Sequence, residues 1–233
     1  MLNNFASILI FFDVEGMMKL QYTNDMLSLQ QALNNATCGI GWEKGYTKEN
    51  RLIDFARCIY MECAELVDSM PWKHWKSIDA SWDLENIQIE LVDIWHFILS
   101  LAIMQNQQKE LINTISEFKF NKTNKNLNDI LELSRELIHT SSAKELNITQ
   151  ITEIFLKLMC SCELEFTRLY KIYIGKNVLN KFRQDNGYKN GTYKKLWNGK
   201  EDNVILYELL EQNDINYDSL YKNLNEIYKN LKD

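Results

Sequence analysis

The chain has 233 residues, 45% of them hydrophobic and 25% charged, the balance of a soluble globular domain with a full core. One proline, Pro71, and eight glycines leave little turn chemistry for a β-sandwich or barrel, so the composition points to a mostly helical fold. Net charge is −6, yet residues 171–200 set eight basic side chains against Asp185, a net +7 that leaves −13 elsewhere and disfavours a nucleic-acid partner.

Residues 5–12 (FASILIFF) are apolar but have no basic residue before them, and Asp13 and Glu15 follow closely. A membrane span needs about 20 apolar residues and a secretory signal a positive start, so neither is expected. Residues 1–20 read as a poorly ordered or apolar extension, with Met17 or Met18 as an alternative start, and residues 21–233 as a single domain. A first helix is expected over 24–36, with Met26, Leu29 and Leu33 as its stripe and Asn24 as its N-cap. Residues 38–50 hold three glycines and read as a loop.

Leu52, Phe55, Ile59, Cys63 and Leu66 repeat at helical spacing over 52–69, and Pro71 ends that helix. Another helix is expected over 83–104, capped by Ser81 or Asp83. Residues 105–128 are rich in Asn, Gln and Lys, and 105–160 read as a peripheral helical part. Amphipathic stretches follow at 127–140 and 149–183, the second broken or kinked near Gly175. Residues 185–203 read as a glycine- and tyrosine-punctuated loop, and 203–230 as a final helix.

Two acidic pairs stand out, Glu62-Cys-Ala-Glu65 and Glu90-Leu-Val-Asp93. Three-residue spacing puts both members of a pair on one helix face. The second pair lies in an apolar run from Ile87 to Leu101, where unpaired charge is costly. An αα-hairpin would bring all four carboxylates together, and a cation would neutralise them. Four oxygen donors suit Mg²⁺, with Mn²⁺ as a substitute, and argue against zinc. A di-iron bundle would add a histidine in Glu-x-x-His, whereas both pairs here end in a carboxylate. His96, three residues after Asp93, reads as a packed histidine or one supporting the site. Five cysteines, odd in number and without metal-ligand spacing, fit a reduced, cytoplasmic compartment. Carboxylate-held magnesium beside a basic segment points to phosphoryl chemistry, with Lys176 and Arg183 on the far phosphates.

The pattern E62CAE65…E90LVD93 resembles the ExxE…ExxD signature of the all-α NTP pyrophosphatases. The segments QQALN (30–34), YMECAELVDS (60–69), WKHWK (72–76), IELVDIWHF (89–97) and YIGKNVLNKFRQDNGYKNGTYKKLWNGKEDN (173–203) look more narrowly like the dimeric dUTPase family, over about residues 24–203. That resemblance implies an all-α homodimer that uses Mg²⁺ to hydrolyse dUTP to dUMP and pyrophosphate, with dUDP as a second substrate. It implies Glu62, Glu65, Glu90 and Asp93 as metal ligands, with Glu62 activating a water that attacks the β-phosphorus. It puts Asn34 and either Gln30 or Gln31 at the uracil edge, leaving Trp75 as a base-pocket wall or a core residue. Lys176, Asn180, Arg183, Tyr188 and Lys194 match sugar and phosphate contacts. Competing readings are a pyrophosphatase for another nucleotide, such as dCTP, and a non-catalytic nucleotide-binding regulator.

Overall fold

A computed structural model describes the backbone of residues 2–75, 77, 81–120, 126–212 and 217–231, and side chains within that range from Val14 onward except Gln212. The described residues form α1 (Leu2–Cys38), α2 (Phe55–Asp68), α3 (Leu84–Met104), α4 (Gln108–Glu117), α5 (Leu127–Ser141), α6 (Ile148–Ser161), α7 (Phe166–Asp185), α8 (Asp202–Gln212) and α9 (Tyr217–Lys229). A minimal antiparallel hairpin, β1 (Leu196–Trp197) and β2 (Lys200–Glu201), pairs Leu196 with Glu201 inside the segment expected to be a loop. Asn198 and Gly199, both at positive φ, make its two-residue turn. The fold is all-α, as expected.

The acidic helices begin where local chemistry dictates. Asp54 Oδ1 accepts from Arg57 N at 2.9 Å, and Asp83 Oδ1 from Asn86 N at 3.1 Å, satisfying amides that α2 and α3 cannot pair internally. Ser69 O accepts from Asp83 N at 3.1 Å, and Ser69 Oγ from Asn86 Nδ2 at 2.7 Å. Further back along α2, Glu62 meets Glu90 of α3, so the pair is antiparallel, as the hairpin reading required.

Four expectations are corrected. First, α1 does not start at Asn24 but runs from Leu2 through the expected extension, and Asn24 Nδ2 donates to Leu20 O within it. Second, the break in 149–183 falls between Ser161 and Phe166, where Glu163 takes φ 57, and α7 runs unbroken through Gly175. A Cβ on Gly175 would lie 2.7 Å from Leu210 Cδ1 and 3.3 Å from Leu206 Cδ1, so this glycine marks the close approach of α8. Third, 105–160 is not peripheral. Leu111, Ile130, Leu137, Phe155 and Leu158 are fully buried in the main core, and the Phe155 and Trp95 rings stack at 5.0 Å. Fourth, the final helix is two helices, α8 and α9.

A smaller core joins Phe182, Trp197, Leu206, Leu210, Leu220 and Leu224 across α7, α8, α9 and the hairpin. Each such side chain contributes about 1.5–3 kcal/mol on full burial. Helix α7 serves both cores, with Leu169, Ile172 and Tyr173 in one and Val178, Leu179 and Phe182 in the other. That double anchorage fixes the stripe Tyr173, Lys176, Asn180 and Arg183. Helix α3 is long and apolar enough to cross a membrane, but 78% of its apolar window is buried inside the fold, as in a core helix.

Candidate metal centre and nucleotide site

On α2 the stripe Phe55, Ile59, Cys63 and Leu66 turns to the core, which leaves Glu62 half-buried at its margin and Glu65 exposed. Glu90 projects from α3, whose surface is covered almost all round, and is only 7% exposed. Ligand oxygens of Glu62, Glu65 and Glu90 lie within 4.8 Å of one another. Burial and the Asp93 charge push the Glu62 carboxyl up to about 7. Burial, Asp93 and Glu62 push Glu90 up to about 8. Asp93 itself ion-pairs with Lys176 Nζ at 2.8 Å and stands outside the close group of three. One lysine against four carboxylates leaves repulsion that a cation would relieve. The group can hold a metal ion.

Lys176, 3% exposed, also donates to Asn203 Oδ1 at 3.1 Å, and that oxygen accepts from Arg183 Nη2 at 3.3 Å. Arg183 grips Asp202 with its fork, Nε to Oδ2 at 2.8 Å and Nη2 to Oδ1 at 2.7 Å. Asp202 has no exposed surface, and Tyr193 Oη donates to its Oδ2 at 2.8 Å. A fully buried carboxylate demands such partners, so the Arg183 fork expected on phosphate is already occupied. Asn180 Oδ1 accepts from Arg183 Nη1 at 3.3 Å, and the Tyr188 ring centre lies 5.8 Å from the guanidinium. The structure thus brings Lys176, Asn180, Arg183 and Tyr188 together. Lys194 opens the hairpin, where its backbone N–H donates to Tyr228 Oη at 3.0 Å. Asp202 and Asn203 escaped the sequence reading of site residues; their signal was a place at the end of the glycine- and tyrosine-rich segment.

The two glutamines part company. Gln31 donates to Asn35 Oδ1 at 3.2 Å and Glu43 Oε1 at 2.7 Å. Gln30 and Asn34, both under 5% exposed, join a polar network with α3 and α7. Gln30 Nε2 donates to Asn34 Oδ1 at 3.0 Å, Asn34 Nδ2 to Ser100 Oγ at 3.0 Å, and Ser100 Oγ to His96 O at 2.8 Å. His96 Nδ1 closes the loop on Gln30 Oε1 at 2.7 Å, and Tyr173 Oη lies 2.9 Å from both that oxygen and Met26 O. His96 is thus packed inside this network and stands outside the close group of three carboxylates. Trp75 is 65% exposed and touches Trp72 and His74, which rules out a place in the core.

The class these features define is an all-α protein whose paired helix carboxylates can hold a metal. The family model for dUTPase matches residues 22–188, and the chain belongs to this all-α dUTPase family. The match takes in the four carboxylates, both glutamines, Asn34, the whole of α7 and the chain on to Tyr188, and stops short of Lys194. No curated protein matches the chain.

Proposed function

We propose that this protein is a cytoplasmic, homodimeric dUTP diphosphatase that hydrolyses dUTP to dUMP and pyrophosphate, and dUDP to dUMP and phosphate. The observation that carries this reading is the convergence of Glu62, Glu65 and Glu90 within 4.8 Å, next to the Asp93–Lys176 pair. Family membership supports dUTP as the substrate, and the five free cysteines fit a reduced compartment.

Glu62, Glu65, Glu90 and Asp93 would hold Mg²⁺, or Mn²⁺ in its place, because hard cations favour oxygen ligands. When bound, such a cation stabilises charge on phosphate oxygens and makes water a better nucleophile. Glu62, its carboxyl pushed up to about 7 by burial and Asp93, accepts the proton as water attacks the β-phosphorus and dUMP leaves. Lys176, paired with Asp93 in this structure, would take a phosphate if Asp93 served as a ligand to the cation instead. Asn180, Arg183, Tyr188 and Lys194 complete the sugar and phosphate contacts, Arg183 through its one remaining Nη1–H while it retains Asp202. Gln30 and Asn34 face the uracil edge, and the exposed Trp75 ring covers the base.

Purified protein with Mg²⁺ should release pyrophosphate from dUTP far faster than from dCTP, dTTP or UTP, and chelation should stop it. Equal rates across the four would overturn the substrate assignment. Light scattering on a sizing column tests the dimer.

A further inference from the structure

An amide side chain carries an acceptor and a donor on one planar fork, and a half-turn exchanges them without changing its shape. Uracil presents an N3–H donor beside its C4 carbonyl. Cytosine presents the reverse, an N3 acceptor beside an amino donor. An amide free to turn reads both bases. With Gln30 and Asn34 against the base, as proposed above, telling dUTP from dCTP requires amides held in one polarity.

The structure contains a device that does this, and His96 anchors both ends of it. Ser100 Oγ gives its proton to the His96 carbonyl, a backbone acceptor that cannot turn over. Its lone pairs are left for Asn34 Nδ2 at 3.0 Å, which turns Asn34 Oδ1 toward Gln30 Nε2, also at 3.0 Å. Gln30 Oε1 then faces His96 Nδ1 at 2.7 Å. A carbonyl oxygen only accepts, so Nδ1 carries the proton and Nε2 is a bare lone pair. Nε2 has no partner among the described residues, and a buried unpaired acceptor is more readily tolerated than a buried unpaired N–H. The Tyr173 ring, stacked on the imidazole at 4.1 Å between centres, fixes its plane. Burial keeps the ring neutral by driving it down to about 3, so this arrangement holds across the working pH range. Each amide retains one N–H outside the relay, and Asn34 Oδ1 retains one lone pair.

We infer that His96 is a positioning residue for base selection: anchoring the Gln30–Asn34 relay at both ends, it fixes the polarity that accepts from N3–H and donates to the C4 carbonyl. Cytosine then meets donor against donor and acceptor against acceptor. The inference rests on the dUTP reading above but involves neither the metal nor the phosphates.

The test assays wild type, His96→Asn and His96→Leu with dUTP, dCTP and dTTP in Mg²⁺. An asparagine amide can place an N–H where Nδ1–H stands, whereas leucine fills the space and donates nothing. His96→Leu should lose about tenfold or more of the preference for dUTP over dCTP, and His96→Asn should keep it to within about threefold. The preference for dUTP over dTTP should hold in both variants, because thymine shares uracil's N3–H and C4 carbonyl. An unchanged dUTP-to-dCTP ratio in folded His96→Leu would overturn the inference, and so would equal losses on all three nucleotides, the mark of a merely structural residue. Should His96→Leu fail to fold by circular dichroism, Ser100→Ala removes the other anchored link. A ratio lowered by about threefold there supports the relay, and an unchanged one overturns it. A wild-type enzyme that prefers dCTP would instead strike the substrate reading itself, and the inference with it.

Discussion

The two halves of the site are built on opposite principles. Between α2 and α3, Glu62, Glu65 and Glu90 crowd together with too little positive charge beside them, and Glu62 and Glu90 are pushed well above the ordinary carboxylate range. Between α1, α3 and α7, Gln30, Asn34, His96 and Ser100 are hydrogen-bonded to one another in a closed loop. The first half is unfinished without a cation. The second is complete before any ligand arrives. Repulsion stored in the acidic half favours metal binding, whereas order stored in the amide half spares the base the entropy of arranging its contacts.

The sharpest way to break that contrast is to neutralise one acid. Glu62→Gln should lower kcat by about a thousandfold, the scale of losing a positioned general base and a metal ligand together. The same change should not weaken the metal-free fold, and Glu90→Gln should stabilise it by about 1 kcal/mol near neutral pH, because folding no longer has to protonate a carboxyl that the crowded, partly buried cluster holds well above its ordinary range. Thermal melts in chelator and in Mg²⁺ check this, with Mg²⁺ raising the wild-type midpoint more than that of either variant. A Glu90→Gln protein that melts lower in chelator than wild type would show the cluster to be satisfied as it stands.

This division explains what could be seen in the chain beforehand. The acidic half is local: pairs three apart on helices with a clear apolar period were legible in α2 and α3, with Asp83 one of two caps expected for α3, whereas the helix expected from 52 starts only at Phe55, after its cap Asp54. The amide half joins residues 66 and 143 positions apart, and no local period marks Gln30 as the partner of His96 and Tyr173. Gly175 misled for a related reason. A glycine inside a helical pattern signals either a break or a close neighbour, and only the position of Leu210 decides between them. Arg183 likewise looked free for phosphate until the fold buried Asp202 against it.

A middle-sized effect tests the completeness of the amide half. Tyr173→Phe keeps the ring that stacks on His96 but removes the hydroxyl between Met26 O and Gln30 Oε1. Loss of one buried hydrogen-bonding group should cost about 1–2 kcal/mol of stability, read from denaturant unfolding. It should raise KM for dUTP more than it lowers kcat, since the metal half is untouched. A fall in kcat alone, with KM held, would tie Tyr173 to the acidic half instead and blur the division.

The smallest expected effect separates two neighbours that sequence spacing left equivalent. Gln30 and Gln31 both lie within four residues of Asn34, yet adjacent helical positions differ by about 100° in direction. Gln30 turns inward to the relay, while Gln31 turns to Glu43 in the glycine-rich loop after α1. Gln30→Ala should therefore lower kcat/KM for dUTP by about tenfold or more, the scale of unpairing buried polar partners. Gln31→Ala breaks part-buried contacts to Asn35 and Glu43 and should change kcat/KM by no more than about threefold, with about 0.5 kcal/mol lost in stability. Equal losses in the two variants would mean that the base is read from both sides of α1. A site completed by α1, α3 and α7 alone does not allow that, because the hydrogen bonds of Gln31 go to Asn35 and Glu43 and not to the other two helices.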